Sequence, residues 1–400
     1  MKFGIIKERK SPPDRRVVFS PRELQNVKHQ FPQAEIFVES SDIRVFPDES
    51  YTDAGFTVTD DVSHCDVLIG VKEVPVEALI PNKKYFFFSH TIKKQPYNQK
   101  LLRAILDKNI ELFDHETIVD ASNRRLIGFG RYAGIVGAYN GFRAFGNKFE
   151  LFNLPPASTL PGRDALIERL RRITLPPIKI VLTGHGKVGN GAAEILDAMR
   201  IKKVSTENFL TKSYDEPVYA QIDVLDYNKR NDGATSDKKD FYENPQEYTS
   251  DFERFTQVAD IFMAGHFYGN GAPAILTREM LNSNKNKIKV VADISCDVDG
   301  PIASTLRAST IAEPFFGYLP SQHKEVDMFH PAAIVVMSVD NLPCELPKDA
   351  SEGFGETFLK HVIPAFYNGD KDGVLQRAKI TANGQLTQRF SYLQAYADGK

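Results

Sequence analysis

Charged and titratable residues in this 400-residue chain gather directly behind short apolar runs that read as strands. Lys72 and Glu73 follow the run 67–71, and His90 follows Tyr85–Phe86–Phe87–Phe88–Ser89 with Lys93 close behind. Glu116 follows the run 110–113, Arg16 lies beyond the first strand, and Arg125 precedes Leu126–Ile127–Gly128–Phe129, which reads as a further strand. The C-terminal ends of strands are where α/β sheets bind ligands. Lysine and histidine there suit proton transfer, and the excess of cations (Arg16, Lys72, Lys93, Arg125) suits a substrate with more than one carboxylate. Each residue alone has a bland reading, because strand-end charges are usually solvated and a lone histidine is more often structural. Recurrence at several strand ends lifts the group above that.

A second constellation is Thr183–Gly184–His185–Gly186–Lys187–Val188–Gly189. Its glycines have G-x-G-x-x-G spacing, behind the β-branched run 178–182 and ahead of a helical pattern over 192–200. In that context the three glycines serve a dinucleotide: a tight turn, close approach of backbone to a pyrophosphate, and close packing of helix on strand. Backbone N–H groups at the helix start, around Lys187 and Val188, would hold the phosphates. The alternative is a glycine turn with a purely structural role. The next strand of this fold is read at 218–222 and ends at Asp223. A carboxylate there bonds ribose hydroxyls and repels a 2′-phosphate, which favours NAD. Lys229 and Arg230 nearby leave NADP open.

Strand and helix patterns alternate through residues 2–136, which predicts an α/β fold. The expected architecture is two Rossmann-like domains with parallel sheets and a cleft between them, Lys72 and His90 facing each other across it. Because the glycine loop lies mid-chain, residues 138–329 are expected to form an inserted dinucleotide-binding domain. Residues 1–137 and 330–400 would form the substrate domain, with the strand-like run 333–339 completing it. The charged, tyrosine-rich stretch 227–250 reads as a solvated insertion.

Composition narrows the partners. Fifty basic against 52 acidic residues, a net charge of −2, argue against nucleic acid. No run reaches the roughly 18 apolar residues of a membrane span. Cys65, Cys296 and Cys344 have no metal-ligand spacing, so no metal is expected, and free thiols suit a reducing compartment. With no apolar leader at the start, a cytoplasmic location is expected. A small-molecule substrate is the implied partner, and monomer and homodimer both stay open.

Several longer stretches carry a family resemblance. They are Asp14–Arg15–Arg16–Val17–Val18–Phe19–Ser20–Pro21, Gly70–Val71–Lys72–Glu73–Val74–Pro75, Phe88–Ser89–His90–Thr91–Ile92–Lys93, Arg125 with Tyr132–Ala133–Gly134, Asp293–Ile294–Ser295–Cys296–Asp297, and Ser338–Val339–Asp340–Asn341–Leu342–Pro343. In this order they resemble the saccharopine-forming and -cleaving family, within the group that shares the alanine dehydrogenase and transhydrogenase N-terminal fold. The likeness extends to both the L-lysine-forming saccharopine dehydrogenases and the lysine–ketoglutarate reductases. It implies that Lys72 and His90 share the acid–base work, that Arg16, Arg125 and Lys93 hold substrate carboxylates, and that Glu73 and Glu116 tune the lysine and histidine. Asp297 joins the cofactor contacts on the same ground. Two departures mark the chain: the dehydrogenases lack an insertion like 227–250, and the reductases lack the glutamate at Glu73.

The implied activity is NAD(P)-dependent interconversion of saccharopine with L-lysine and 2-oxoglutarate. Two other readings are an alanine-dehydrogenase-like reductive amination of a small 2-oxo acid and a non-catalytic NAD-binding sensor. The first would need fewer cations, and the second has no reason to keep Lys72, His90, Arg16 and Arg125 together.

Overall fold

The computed structural model describes residues 1–269 and 271–400, and the chain divides into two compact units, Met1–Phe129 with Pro347–Lys400, and Gly130–Leu346. The first unit is built on β1 (Lys2–Ile5), β2 (Glu35–Glu39), β3 (Thr57–Thr59), β4 (Val67–Ile69), β5 (Lys84–Phe87) and β6 (Glu111–Asp114). These form one sheet in the order β3-β2-β1-β4-β5-β6, with every neighbouring pair parallel. Strand periodicity sends alternate residues to opposite faces. Accordingly Phe86 joins a core with Phe113, Phe354 and Phe358, while Tyr85 and Phe87 join another with Leu102, Ile105 and Phe390. A sheet covered on both faces needs apolar residues in both registers, which is why these strands read as continuous apolar runs.

Local signals set the flanking helices. Ser20 caps the helix Pro21–Gln30 by accepting from the Glu23 N–H, and Pro21 occupies its first turn. The helix Pro347–His361 buries Phe354 and Phe358 on the first face, which contributes about 1.5–3 kcal/mol for each ring removed from water. The segment 126–129, expected as a strand, is not one. Only an isolated bridge joins Val119 and Arg125 there, and Leu126 and Phe129 pack as loop side chains on the core.

The second unit contains β7 (Lys179–Thr183), β8 (Lys202–Lys203), β9 (Val218–Ile222), β10 (Asn228–Arg230), β11 (Tyr248–Ser250), β12 (Ile261–Ala264), β13 (Val290–Asp293), β14 (Phe315–Leu319), β15 (Lys324–Val326) and β16 (Ile334–Met337). Its main sheet runs β15-β14-β16-β13-β12-β7-β9-β8, parallel from β8 to β16 and antiparallel at β14 and β15. From β7 the chain builds one way to β9 and then crosses to β12 on the other side, so the strand order reverses beside β7.

Two boundaries differ from the sequence reading. The run 333–339 was expected in the first unit, yet β16 pairs with β13 and Val335 lies opposite Val290. The Gly/Ala-rich helix Gly130–Lys148 also belongs wholly to the second unit. It lies so close to the helix Lys187–Ala198 that a Cβ on Gly134 would stand 2.0 Å from the Val188 carbonyl. The insertion 227–250 is more than a solvated excursion. It forms the β10–β11 hairpin and buries Tyr227, Phe241 and Tyr248 in the unit's core, apolar area that charge counting overlooks. No helix among the described residues is long and apolar enough to cross a membrane.

Candidate active site

Four neighbouring strands, β1, β4, β5 and β6, end on the same side of the first unit's sheet, and their following loops carry the candidate residues. Lys72 lies three residues past β4, and His90 lies three past β5, so both belong to this unit on adjacent strand ends rather than on opposite domains. The backbone keeps the two loops together: Phe88 N–H donates to the Val71 carbonyl at 2.9 Å.

Around His90 the arrangement is charge-dense. Glu116 Oε2 lies 3.5 Å from His90 Nδ1, while its Oε1 lies 3.5 Å from Lys93 Nζ and 2.9 Å from Arg125 Nη2. Burial alone would push the Glu116 carboxyl up, but the facing His90 and the charges of Arg125 and Lys93 hold it at about 2. One carboxylate therefore serves two permanent cations and a histidine. Glu116 faces His90 Nδ1, which leaves Nε2 as the nitrogen free for exchange with a reacting group. His90 itself has a left-handed backbone, φ 54°, which is uncommon outside glycine, and its N–H donates to Asp114. Such strain persists where surrounding structure holds it, and often at functional sites.

The Glu116 carboxylate ties stability to acid. Its folded value lies below the ordinary one, so its contribution is complete above about pH 5 and fades as pH falls toward 2. Glu116→Gln is expected to cost about 1–3 kcal/mol at pH 7, at roughly 1.4 kcal/mol per pKa unit. The gap between the melting temperatures of parent and variant should narrow below pH 5 and close only near pH 2, and a gap independent of pH would contradict the assignment.

A second cluster centres on Arg16. Its guanidinium is buried against Phe129, 4.2 Å from the ring centre, and grips Asp14 through Nε at 3.0 Å and Nη2 at 2.6 Å. Burial raises the Asp14 carboxyl, but the hydrogen bonds and charge of Arg16 win and hold it below its usual range, with Lys72 adding to the pull. Lys72 is thus electrically part of this cluster. Its loop is fixed by Glu8, whose two oxygens accept from the Val71 and Lys72 N–H groups at 2.7 and 2.8 Å. Burial pushes the Glu8 carboxyl up to about 7 despite those bonds. Sequence reasoning missed Glu8. It instead named Glu73, whose carboxylate lies 3.2 Å from Lys10 Nζ. His115, next to Glu116, is buried with Nε2 at 2.8 Å from the Gly70 carbonyl, and burial lowers it to about 4. It braces the Lys72 loop as a neutral side chain.

In the second unit the glycine loop sits where strand order reverses, the place where such sheets bind ligands. Gly184 has φ +95°, and a Cβ there would stand 2.6 Å from the Gly265 carbonyl oxygen. A Cβ on Gly189 would meet the Gly184 carbonyl at 2.1 Å. Gly186, by contrast, has nothing within 4 Å of where its Cβ would lie. Its neighbours in the protein do not require glycine, so the bare backbone fits a ligand approaching from outside, as a pyrophosphate would. Lys187 and Val188 open the helix behind it. Gln221 Nε2 donates to the Gly184 carbonyl at 3.0 Å, and His266 Nδ1 lies 2.7 Å from Thr183 Oγ1. Neither was legible beforehand, because both are brought to the loop by neighbouring strands. Asp223 ends β9 beside β7 as expected, where it caps a short helix and pairs with Lys238. Asp297 is exposed in the loop after β13. Among the described residues no group of three or more His, Cys, Asp or Glu could hold a metal ion.

A family profile described as alanine dehydrogenase/PNT, N-terminal domain, matches residues 4–136, and one described as alanine dehydrogenase/PNT, C-terminal domain, matches residues 170–391. Alpha-aminoadipic semialdehyde synthase of Arabidopsis thaliana is 29% identical over 98% of this chain, which spans only 41% of that relative's length. Saccharopine dehydrogenase (NAD+, L-lysine-forming) of Yarrowia lipolytica is 26% identical, with 82% of this chain and 83% of the relative covered. In fold, a solved L-alanine dehydrogenase superposes with a TM-score of 0.65 at 17% identity, covering 100% of this chain and 99% of that one. With both domain profiles matched in order across the strand-end cluster and the glycine loop, the chain belongs to the alanine dehydrogenase/PNT family.

Proposed function

We propose that this protein is an NAD(P)-dependent oxidoreductase that interconverts saccharopine with L-lysine and 2-oxoglutarate. The observation that carries the reading is the crowd of cations at four adjacent strand ends, where Lys93 and Arg125 share the single carboxylate of Glu116. Saccharopine has three carboxylates, and a site for it needs more cations than one for alanine. Making it requires the lysine ε-amine to add to the oxo carbon, water to leave, and the resulting imine to be reduced. A bound nicotinamide dinucleotide supplies the hydride for that reduction.

The residues divide the remaining work. Arg125 and Lys93, both half-exposed, are placed to take a substrate carboxylate in exchange for part of their contact with Glu116. Arg16, held rigid by Asp14, presents a fixed guanidinium to a second one. Lys72 and His90 move the protons that addition, dehydration and reduction demand, and two groups in different surroundings suit transfers in both directions. Glu8 positions Lys72, and Glu116 positions His90.

NAD is the proposed cofactor form. Asp223 directly follows β9 and is itself paired with Lys238, and the other nearby cations are engaged away from it: Lys229 lies 3.2 Å from Asp251, and Arg230 pairs with Asp232 and Asp240. A lower KM for NADH than for NADPH is the expected result. The glycines should separate fold from binding. Gly184→Ala is expected to cost about 1–3 kcal/mol of stability from backbone strain, whereas Gly186→Ala keeps its melting temperature and weakens NADH binding in a fluorescence titration. Saccharopine with NAD+ should yield lysine, 2-oxoglutarate and NADH in equal amounts. NADH formed from alanine and not from saccharopine would overturn the substrate assignment.

A further inference from the structure

Beyond β6, the edge strand of the first unit, lies a cavity of about 750 Å³ that the proposed reaction does not use. Its walls divide by chemistry. Phe113, Ala365, Phe366 and Leu375 make an apolar side, and Lys84, Arg377, Lys379 and Arg389 supply positive charge. Lys84 and Lys379 share one carboxylate, Glu111, at 3.3 and 2.7 Å. Asp370, the acid among the lining residues, is engaged by the N–H groups of Leu375 and Gln376 at 3.0 and 2.8 Å. The two arginines are held only by neutral oxygens: Arg377 Nε donates to the Val119 carbonyl at 3.1 Å, and Arg389 Nη2 donates to Asn123 Oδ1 at 2.7 Å. Neither forms an ion pair among the described residues.

We propose that this cavity is a second, regulatory binding site for a carboxylate with an apolar body, aliphatic or aromatic. The guanidinium pair offers the forked donors that carboxylates match. The volume lies within the range of small-ligand pockets and exceeds what a bare inorganic anion fills, and the apolar wall would cover the rest of the molecule. The site has a physical route to the reaction centre. Arg377 holds Val119, Val119 bridges Arg125, and Thr117 Oγ1 next to Glu116 lies 2.8 Å from the Ala378 carbonyl. A ligand that draws the Arg377 guanidinium toward itself changes the footing of the segment carrying Glu116 and Arg125.

The test uses 3-phenylpropanoate as probe, with 3-phenylpropanol and inorganic phosphate as controls, by titration calorimetry on the whole chain. Binding of the carboxylate that exceeds both controls, weakens about tenfold or more in Arg389→Gln, and survives saturating 2-oxoglutarate is the expected result. Arg389 is exposed and anchors only Asn123, so that variant should keep its melting temperature and basal turnover. Equal binding of phosphate, displacement by 2-oxoglutarate, or indifference to Arg389→Gln would overturn the site. A second arm measures KM for 2-oxoglutarate with and without the probe; it rests on the oxidoreductase reading, whereas calorimetry does not. A shift in KM that Arg389→Gln abolishes is expected, and an unchanged KM in an active enzyme with the probe bound would overturn the regulatory role.

Discussion

Lys72→Met is expected to lower kcat by about 10²-fold or more while leaving the melting temperature near the parent's. Methionine keeps the length and apolar stem of lysine but can neither donate nor accept the proton. The backbone of the Lys72 loop does not depend on the side chain, since Glu8 grips the Val71 and Lys72 N–H groups. The two readings of Lys72 therefore give opposite results. A structural lysine paired within the Asp14–Arg16 cluster would lower stability and spare turnover, and an acid–base lysine does the reverse. Near-normal kcat in Lys72→Met would remove it from the chemistry. Glu8→Ala provides the intermediate case. It should lower kcat by displacing Lys72, with KM for the oxo acid little changed, as expected of a residue that acts through another.

Arg125→Ala should raise KM for 2-oxoglutarate or saccharopine about 10- to 150-fold with a smaller fall in kcat, the equivalent of losing about 1.5–3 kcal/mol of charge-assisted binding. Binding energy that substrate and transition state share appears in KM, whereas interactions made only in the transition state appear in kcat. Arg125 is the cleaner of the two candidate arginines. Its side chain is 47% exposed and its loss removes one of three partners of Glu116. Arg16 is buried on Phe129 and satisfies a buried Asp14, so Arg16→Ala mixes a binding defect with an unpaired carboxylate and lost packing. An unchanged KM with a lowered melting temperature in Arg125→Ala would show that it only braces the loop.

Strand ends were legible in the sequence because an apolar run followed at once by charge marks where a buried strand leaves the sheet. Lys72, His90 and Glu116 were found that way. The glycine loop was legible for a similar reason, since its spacing lies between a clear strand and a clear helix. Residues that act over long separations were not. Glu8 reaches a loop 63 residues away, and nothing in Lys7–Glu8–Arg9 announces it. Gln221 and His266 reach the glycine loop from neighbouring strands in the same manner. The domain boundary failed on a related ambiguity. An apolar run such as 333–339 says that a strand is buried, but its partner is set by register against β13 and β14, which composition does not encode. The hairpin in 227–250 was lost because charge dominates its composition while Tyr227, Phe241 and Tyr248 do its packing.

The most direct test follows NADH oxidation by its absorbance under two substrate pairs. With 2-oxoglutarate plus L-lysine the signal should fall and saccharopine should accumulate in step, while pyruvate plus ammonia should give little or no oxidation. Oxidation with pyruvate and ammonia but not with 2-oxoglutarate and lysine would contradict the account.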